Sequence, residues 1–409
     1  MIQQPQQLFT NKINVLIFGQ CPSDKTTLLD VLKKENQKQN YQNQQFQDNL
    51  DSEEDEEEAL DQFESLTPTT RCLYIFDKYN IYFEESNNFN DLLYRSPNFE
   101  VLMFLFNAQE GIFENQIFDG FYWNLEGVRL LQQNQKIIFA ITNMCSCNWS
   151  KQRFEQIQNH FQSLNLNFQF VIIPIDSKQS INIFHKQCEW YEGDSLIDEI
   201  SSIQIKNFTE ILRIRVLNLS KRQNYAYECK VLSGQINQIN IPFHLNSIIQ
   251  KKPIQIVGIL DLIDNLQFNI TQNDMIQILV NNDTVLKIGD ILSLPHLPPC
   301  HLSKEILADF HLENLKQQSI ITSGFKGLLN FCGIQTPFEV TNVEYINIDG
   351  KKQIQEFLKS KQSGGVKIKF PEPFCLEKSN VFFELGYFLI LSIDQQIIGT
   401  GCVVKVKPL

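Results

Sequence analysis

Residues 19–26 have the composition and spacing of a phosphate-binding loop. They read Gly-Gln-Cys-Pro-Ser-Asp-Lys-Thr, after an apolar run at 13–18 and before a helix-like run at 27–34. Strand, loop and helix in this order, with Lys25 and Thr26 closing the loop, are the layout of the motif G-x-x-x-x-G-K-[S/T]. In that motif, backbone N–H groups cradle the phosphates, the Lys reaches them and the hydroxyl binds Mg²⁺. Thr26 is therefore the candidate Mg²⁺ ligand.

One position departs from the motif, because Asp24 stands where the second Gly belongs. Gly allows the backbone to approach a phosphate closely, whereas Asp adds a side chain and a negative charge. Two like charges about 4 Å apart repel by roughly 4 kcal/mol at an effective dielectric constant of about 20. This predicts weakened rather than excluded phosphate binding. The alternative is that Lys25 and Thr26 form only the first turn of a capped helix, and the missing Gly slightly favours it.

The composition of the chain narrows its class and its partners. With 409 residues, of which 43% are hydrophobic, it can form two or three domains with cores of their own. Its net charge of -12 argues against a generally basic nucleic-acid binder, so no DNA partner is expected. No apolar run is long enough to cross a membrane and no signal pattern is present, so we expect a cytoplasmic protein. The ten cysteines include no C-x-x-C pair, so no zinc site is expected.

The pattern along the chain predicts an α/β domain with a mostly parallel sheet, followed by two antiparallel β-barrels. Buried strands alternate with helices up to about residue 202, with one helix within 114–133 and another at 151–164, which is typical of a parallel sheet. Short apolar runs with turn signals follow, which is typical of barrels. The predicted α/β phosphate-loop domain covers residues 1–205 and contains a disordered Gln-rich and acidic insert at 35–66. A first barrel at 206–295 follows. A linker at 296–324, with a helix over 303–317, then leads to a second barrel at 325–409. Gly364 and Gly365 indicate a turn before a strand at 366–370.

This domain order resembles the translational GTPases of the elongation factor 1-alpha group. That group includes the class-II release factor and the ribosome-rescue GTPase that partners Pelota. The tracts that are similar to the family lie at 111–114, 148–157, 190–196, 374–377 and 386–388. The rescue branch is the most similar, chiefly through 148–157. Against the family, the last domain looks short by one or two strands near 328–337.

The resemblance implies a guanine-nucleotide site, GTP or GDP with Mg²⁺, that has lost several of its elements. The implied cofactor-binding residues are Gly19, Ser23, Asp24, Lys25, Thr26, Thr27 and Asn143. The guanine motif N-K-x-D aligns with residues 142–145, where Cys145 cannot accept the two hydrogen bonds that the family's Asp accepts. The motif D-x-P-G-H aligns with 84–88, which places Asn88 where the family has its water-positioning His. The motif that closes over the base aligns with 176–177. The switch threonine aligns with either Thr69 or Thr70, and no residue is assigned a catalytic role.

These losses favour a translation-factor paralogue with weak or lost nucleotide binding and hydrolysis. Such a protein would act by contact with the ribosome or with a tRNA-like protein partner of the Pelota or release-factor type. The second hypothesis is a pseudo-GTPase without cofactor that serves as a structural or adaptor subunit of another assembly. The third, ranked last, is an active GTPase whose loop tolerates Asp24.

Overall fold

The computed structural model describes residues 11–19, 22–45, 71–76, 79–86, 96–118, 135–164, 166, 168–203, 211–220, 225–236, 242–261, 266–281, 284–295, 300–313, 320–348 and 350–409. The described residues form two compact units. The first contains the residues up to 203 apart from 96–98, and the second contains 96–98 and the residues from 211 onward. None of the described helices combines the length and the apolar composition that a bilayer crossing requires.

The first unit is built on a six-stranded sheet with the order β2-β3-β1-β4-β5-β6. Its strands are β1 (Asn11–Phe18), β2 (Arg71–Phe76), β3 (Tyr79–Glu85), β4 (Val101–Asn107), β5 (Lys136–Thr142) and β6 (Val171–Pro174). All neighbouring strands are parallel except β2 and β3. Every residue of β4 is buried, as is every residue of β5 after Lys136. Continuous apolar strands of this kind are typical of a parallel sheet covered on both faces, so the predicted fold class is confirmed.

The helices of the first unit are α1 (Pro22–Gln45), α2 (Ile112–Phe118), α3 (Lys151–Ser163) and α4 (Leu196–Ser201). The Oγ of Ser150 accepts a hydrogen bond from the N–H of Arg153 and so caps α3. Phe154, Ile157 and Phe161 are buried at helical spacing on one face of α3. The helix predicted within 114–133 corresponds to α2, which ends at Phe118. Residues 119–133 lie outside the described part.

Helix α1 begins earlier and ends later than the sequence predicts. It starts at Pro22, within the predicted loop, because proline at the first position of a helix has the right φ and needs no N–H partner. It continues to Gln45, so the predicted disordered insert at 35–66 is helical at its start. Gln and Lys have high helix propensity, and an existing helix extends at small cost. Residues 46–66 lie outside the described part.

The second unit begins with a closed antiparallel barrel of six strands in the order β10-β11-β8-β7-β12-β9. These are β7 (Arg213–Leu219), β8 (Ala226–Ser233), β9 (Phe243–Ser247), β10 (Lys252–Leu260), β11 (Met275–Val280) and β12 (Ile291–Ser293). Inward-facing Ile, Leu and Val side chains fill the barrel. The sequence did not predict β9, because this short strand places only two of its five residues in buried positions.

The second barrel also has six strands, closed by the pairing of β15 with β16. Its strands are β13 (His301–Leu312), β15 (Lys326–Phe331), β16 (Ile334–Ile348), β19 (Ser363–Leu376), β20 (Tyr387–Leu391) and β21 (Ile397–Pro408). Outside the ring lie β14 (Ile321–Thr322), β17 (Lys351–Gln353), β18 (Phe357–Leu358) and the one-turn helix α5 (Phe383–Gly386). The closed ring confirms that a second barrel is present. It begins at His301 rather than at residue 325, because β13 belongs to the ring.

Three predictions for this region are wrong. The predicted helix at 303–317 is the strand β13 over His301–Leu312, where alternate residues from Ile306 to Leu312 face the core. The burial of every second side chain in the barrel stabilises a strand here, although Lys, Glu, Leu and Ala favour a helix by their intrinsic propensity. The predicted gap at 328–337 is the β15–β16 hairpin, whose turn places Cys332 and Gly333 at positive φ. The predicted turn at Gly364 and Gly365 is the interior of β19.

Candidate functional site

The carboxyl ends of β1, β4, β5 and β6 meet at one edge of the sheet. Ligands bind at this edge in open α/β sheets. Register places Phe18 of β1 beside Phe104 of β4, and Asn107 of β4 beside Thr142 of β5. Helix α1 follows β1 directly, so its first turn lies at the same edge.

The carboxylate of Asp24 is bound by the ends of two strands. Its Oδ2 accepts hydrogen bonds from Thr142 Oγ1 at 2.8 Å and from Asn107 Nδ2 at 3.4 Å. Thr142 Oγ1 also lies 3.2 Å from the carbonyl of Phe106. The residue at the position of the second Gly therefore ties the start of α1 to β4 and β5.

Lys25 is directed to the neighbouring strand. Only 1% of its side chain is exposed, and its Nζ donates a hydrogen bond of 2.8 Å to the carbonyl oxygen of Ser86, directly after β3. Burial lowers the pKa of Lys25, and the nearby negative charge of Glu85 partly offsets this. Ser86 lies in the tract aligned with D-x-P-G-H, whose Asn87 and Asn88 are outside the described residues. The lysine expected on phosphate thus bonds to the backbone.

The remaining candidates of the loop lie on or beside α1. Thr26 and Thr27 are half-buried in its first turns, and Ser23 is one residue before Asp24 in the same helix. A Cβ on Gly19 would lie 3.2 Å from Leu105 Cβ, so the close approach of β1 to β4 itself favours glycine there. Nothing at Gly19 therefore requires a phosphate to explain it.

The segment aligned with the guanine motif is a short turn after β5. Asn143 has φ 59° and precedes a 3₁₀ turn over Met144–Cys147. The N–H of Cys145 donates to Asp176 Oδ2 at 3.2 Å, and its Sγ lies 3.5 Å from Asn143 Oδ1. A hydrogen bond to Asp176, together with partial burial and its charge, raises the pKa of the Cys145 thiol. A neutral thiol stands where the family has a carboxylate.

A small cavity lies among the described residues of this edge. The cavity has a volume of about 20 Å³ and is lined by Asp24, Thr27, Thr142, Asn143, Asp176, Ser177 and Lys178. Such a volume holds about one water molecule. Sites for ligands of nucleotide size measure roughly 300–1,000 Å³. The structure thus places Asp24, Thr27 and Asn143 around one small cavity.

Sequence reasoning did not anticipate the partners of Asp24 and Lys25. The available signal was the polar residue at the end of each of the buried strands β4 and β5, Asn107 and Thr142, because parallel strands present those ends at a common edge. The carbonyl of Ser86 carries no such signal. It is 61 residues from Lys25 and becomes a partner only through the register of β1 and β3.

Two of the family-like tracts contact each other. Arg153 makes a 3.0 Å ion pair with Glu114 and donates from Nε to the carbonyl of Ala108 at 2.8 Å. Burial alone would raise the pKa of Glu114, but hydrogen bonds from Arg153 and from the backbone lower it below its usual value. In the same region, Trp190 Nε1 donates to the carbonyl of Trp149 at 2.9 Å. These tracts therefore serve the packing of the first unit.

A mostly parallel sheet with a phosphate-loop layout, followed by two closed six-stranded barrels, is the architecture of the translational GTPases. The family model for GTP-eEF1A C-terminal domain-like sequences matches residues 309–404. Elongation factor 1-alpha of Methanothermobacter thermautotrophicus is 23% identical over 307 residues, which is 67% of this chain and 69% of that protein. Sulfate adenylyltransferase subunit 1 of Vibrio vulnificus is 25% identical over 112 residues, covering 26% of this chain and 22% of that protein.

Solved structures agree on the fold. The GTPase-like domain of S. cerevisiae Ski7, bound to GDP and inorganic phosphate, has a TM-score of 0.65 at 14% identity, covering 97% of this chain and 98% of that one. The elongation factor SelB of Methanococcus maripaludis in its apo form has a TM-score of 0.63 at 14% identity, covering 98% of this chain and 81% of that one. The chain is therefore similar to elongation factor 1-alpha over two thirds of its length and has the fold of the translational GTPases.

Proposed function

We propose that this protein is a translation-factor paralogue whose nucleotide site is weakened or lost. It acts by contact with the ribosome or with a tRNA-like protein partner of the Pelota or release-factor type. The similarity to elongation factor 1-alpha and the complete three-part fold support the first half of this proposal. The hydrogen bond between Asp24 and Thr142 carries the second half.

A nucleotide would have to break this arrangement before it could bind. The Asp24 carboxylate would lose its bonds to Thr142 and Asn107 and would then lie beside a phosphate of the same charge. Breaking hydrogen bonds of a charged group costs about 1.5–3 kcal/mol each. Lys25 would also have to leave the carbonyl of Ser86, and Cys145 would offer the base no carboxylate. Together these terms remove most of the binding free energy of about 8 kcal/mol that corresponds to a micromolar Kd.

Isothermal titration of the whole protein with Mg²⁺·GTP, Mg²⁺·GDP and Mg²⁺·ATP tests this part of the proposal. We expect no binding tighter than about 1 mM, equivalent to about 4 kcal/mol. The double variant Asp24→Gly, Cys145→Asp restores the two motif positions and should bind a guanine nucleotide more tightly than the wild type does. Ski7, which has this fold, is described bound to GTP, so the fold itself leaves room for a nucleotide. Micromolar binding by the wild type would contradict the proposal and favour a nucleotide switch.

Sucrose-gradient sedimentation tests the contact function separately. We expect the tagged protein in ribosomal fractions of a translating lysate, with enrichment when ribosomes are stalled and with no requirement for added GTP. The Asp24→Gly, Cys145→Asp variant serves as the control for nucleotide dependence. Absence from ribosomal fractions under stalling would contradict a role on the ribosome.

The second candidate function is an adaptor subunit of another assembly without any cofactor. The net charge of -12 favours it, since an acidic protein gains no general attraction to ribosomal RNA. Affinity purification distinguishes the two candidates. Recovery of ribosomal proteins with a Pelota-like or release-factor-like partner supports the first, and recovery of an unrelated assembly without ribosomal proteins supports the second.

A further inference from the structure

A cavity of about 470 Å³ lies where the two barrels of the second unit join. Its lining residues include Ser247, Ile248, Lys251, Lys252, Ser293 and Leu302. This volume lies in the range of about 300–1,000 Å³ that is typical of small-molecule sites. The cavity lies entirely in the second unit, so it is distinct from the phosphate-loop edge of the sheet.

One wall of this junction cavity is a rigid loop between β9 and β10. Buried Asp290 accepts hydrogen bonds from the hydroxyl of Ser247 and from the N–H of Ile249, the latter at 2.9 Å. Ser247 Oγ in turn accepts from the N–H of Gln250 at 3.0 Å. The loop ends at Lys251, which adopts φ 52°, in the left-handed region that non-glycine residues rarely occupy. Buried hydrogen bonds thus fix the backbone that presents the next lysines.

The polar groups of the cavity have unused binding capacity. Lys251 and Lys252 are exposed, and within the described part of the chain no carboxylate lies in ion-pair distance of either. Ser293, at the end of β12, is only 2% exposed, and its Oγ has no hydrogen-bond partner among the described residues. This oxygen is not accessible from the cavity, so the two exposed lysines are the cationic groups that a ligand can reach.

We propose that the junction cavity binds a small phosphate monoester with an apolar portion. The phosphate lies between the ammonium groups of Lys251 and Lys252, which both line the cavity. Lysine binds phosphate as a point charge, and two adjacent lysines match a dianion. The side chains of Ile248 and Leu302 provide the apolar surface for the rest of the ligand. Because the chain carries a net charge of -12, this paired cationic site contrasts with the chain as a whole.

Isothermal titration of the full chain with hexyl phosphate, inorganic phosphate and hexanol tests the proposal. We expect hexyl phosphate to bind at least about tenfold more tightly than inorganic phosphate, because burial of its alkyl chain adds to the affinity. Hexanol should not bind measurably. The variant Lys251→Gln, Lys252→Gln should weaken hexyl phosphate by about tenfold or more, since it removes two charge-assisted contacts. Ser293→Ala should leave the affinity for hexyl phosphate unchanged, because the Ser293 hydroxyl is not accessible from the cavity.

The matched control is Lys326→Gln, which removes an exposed lysine of β15 that does not line the cavity. It should bind hexyl phosphate as the wild type does, and thermal unfolding should show that all variants remain folded. Absence of binding, or equal affinity in the wild type and the Lys251→Gln, Lys252→Gln variant, would overturn the proposal. So would a result in which only acidic peptides bind, because the site would then recognise a protein partner. The test is independent of whether the protein binds nucleotides or ribosomes.

Discussion

Arg215 of the first barrel donates a hydrogen bond of 2.7 Å from Nη2 to the backbone carbonyl of Glu384, in the helix α5 of the second barrel. Its Nη1 donates to the carbonyl of Phe331 at 3.3 Å, and only 2% of the residue is exposed. Close by, Ile291 from the first barrel shares an apolar cluster with Cys375 from the second. The two barrels therefore form one packed body, joined by a buried guanidinium.

Replacement of Arg215 should loosen the barrel junction. Arg215→Met removes both donors and leaves two buried carbonyl groups without them, so we expect a loss of about 2–4 kcal/mol in the free energy of unfolding. Arg215→Lys should lose less, because an ammonium keeps the charge but not the two-pronged geometry. Urea unfolding measures the loss, with Lys326→Gln as the surface control. A stability of Arg215→Met equal to that of the wild type would show that the guanidinium does not hold the barrels together.

The bond between Asp24 and Thr142 should contribute to stability. Asp24→Ala leaves the hydroxyl of Thr142 and the amide of Asn107 without their acceptor, and Thr142→Val removes one donor. We expect each variant to lose about 1–2 kcal/mol. The double variant should lose less than the sum, by a coupling energy of about 0.5–1.5 kcal/mol.

Glu35→Ala is the control for that cycle. Glu35 lies on the same helix, and its ion pair within the described part of the chain is an exposed one with Lys38, so its loss should change stability little. Urea unfolding of the four proteins gives the coupling energy. A coupling near zero would mean that Asp24 and Thr142 do not interact in solution, and the main support for a closed nucleotide site would be lost.

Local pattern explains which parts of this molecule the sequence predicted. The strands β4 and β5 are continuous apolar runs, and α3 has its apolar residues at helical spacing, so both could be recognised without tertiary information. The strand β13 could not, because its residues favour a helix locally and only the barrel selects their period of two. At the candidate site, the residue type of Asp24 indicated a departure from the motif, whereas Lys25 matched it. Their partners follow from strand register, which spacing along the chain does not contain.

Gly365 should be indispensable to the second barrel because an aromatic ring lies on it. A Cβ at this position would clash with Cε1 of Tyr345, on the neighbouring strand. The ring is held there by a hydrogen bond of 2.6 Å from the Tyr345 hydroxyl to Asp309. Gly365→Ala should therefore destabilise the protein by about 1–3 kcal/mol through overpacking. In a Tyr345→Leu background the same substitution should cost clearly less. Thermal and urea unfolding check both, and an equal cost in the two backgrounds would exclude the ring as the cause.

Cys72 should make the stability of the protein fall at alkaline pH. It lies on β2 with 4% of its surface exposed, and burial raises the pKa of its thiol from 9.0 to about 12, with smaller opposing effects of Lys33 and Asp30. The unfolded chain ionises this thiol at a lower pH than the folded chain does. Its contribution to stability is therefore complete below about pH 9 and is lost as the pH rises towards 12.

Cys72→Val isolates this contribution, because the variant keeps an apolar side chain and has no thiol to ionise. Between pH 8 and pH 10.5, the free energy of unfolding of the wild type should fall relative to that of the variant. Above the pKa of the thiol in the unfolded chain, this fall should be about 1.4 kcal/mol for each pH unit. Alkylation by iodoacetamide at pH 8 offers a second readout, since the native thiol should react only after unfolding. A pH-independent difference, or rapid alkylation of Cys72 in the folded protein, would show that this thiol is accessible and titrates normally.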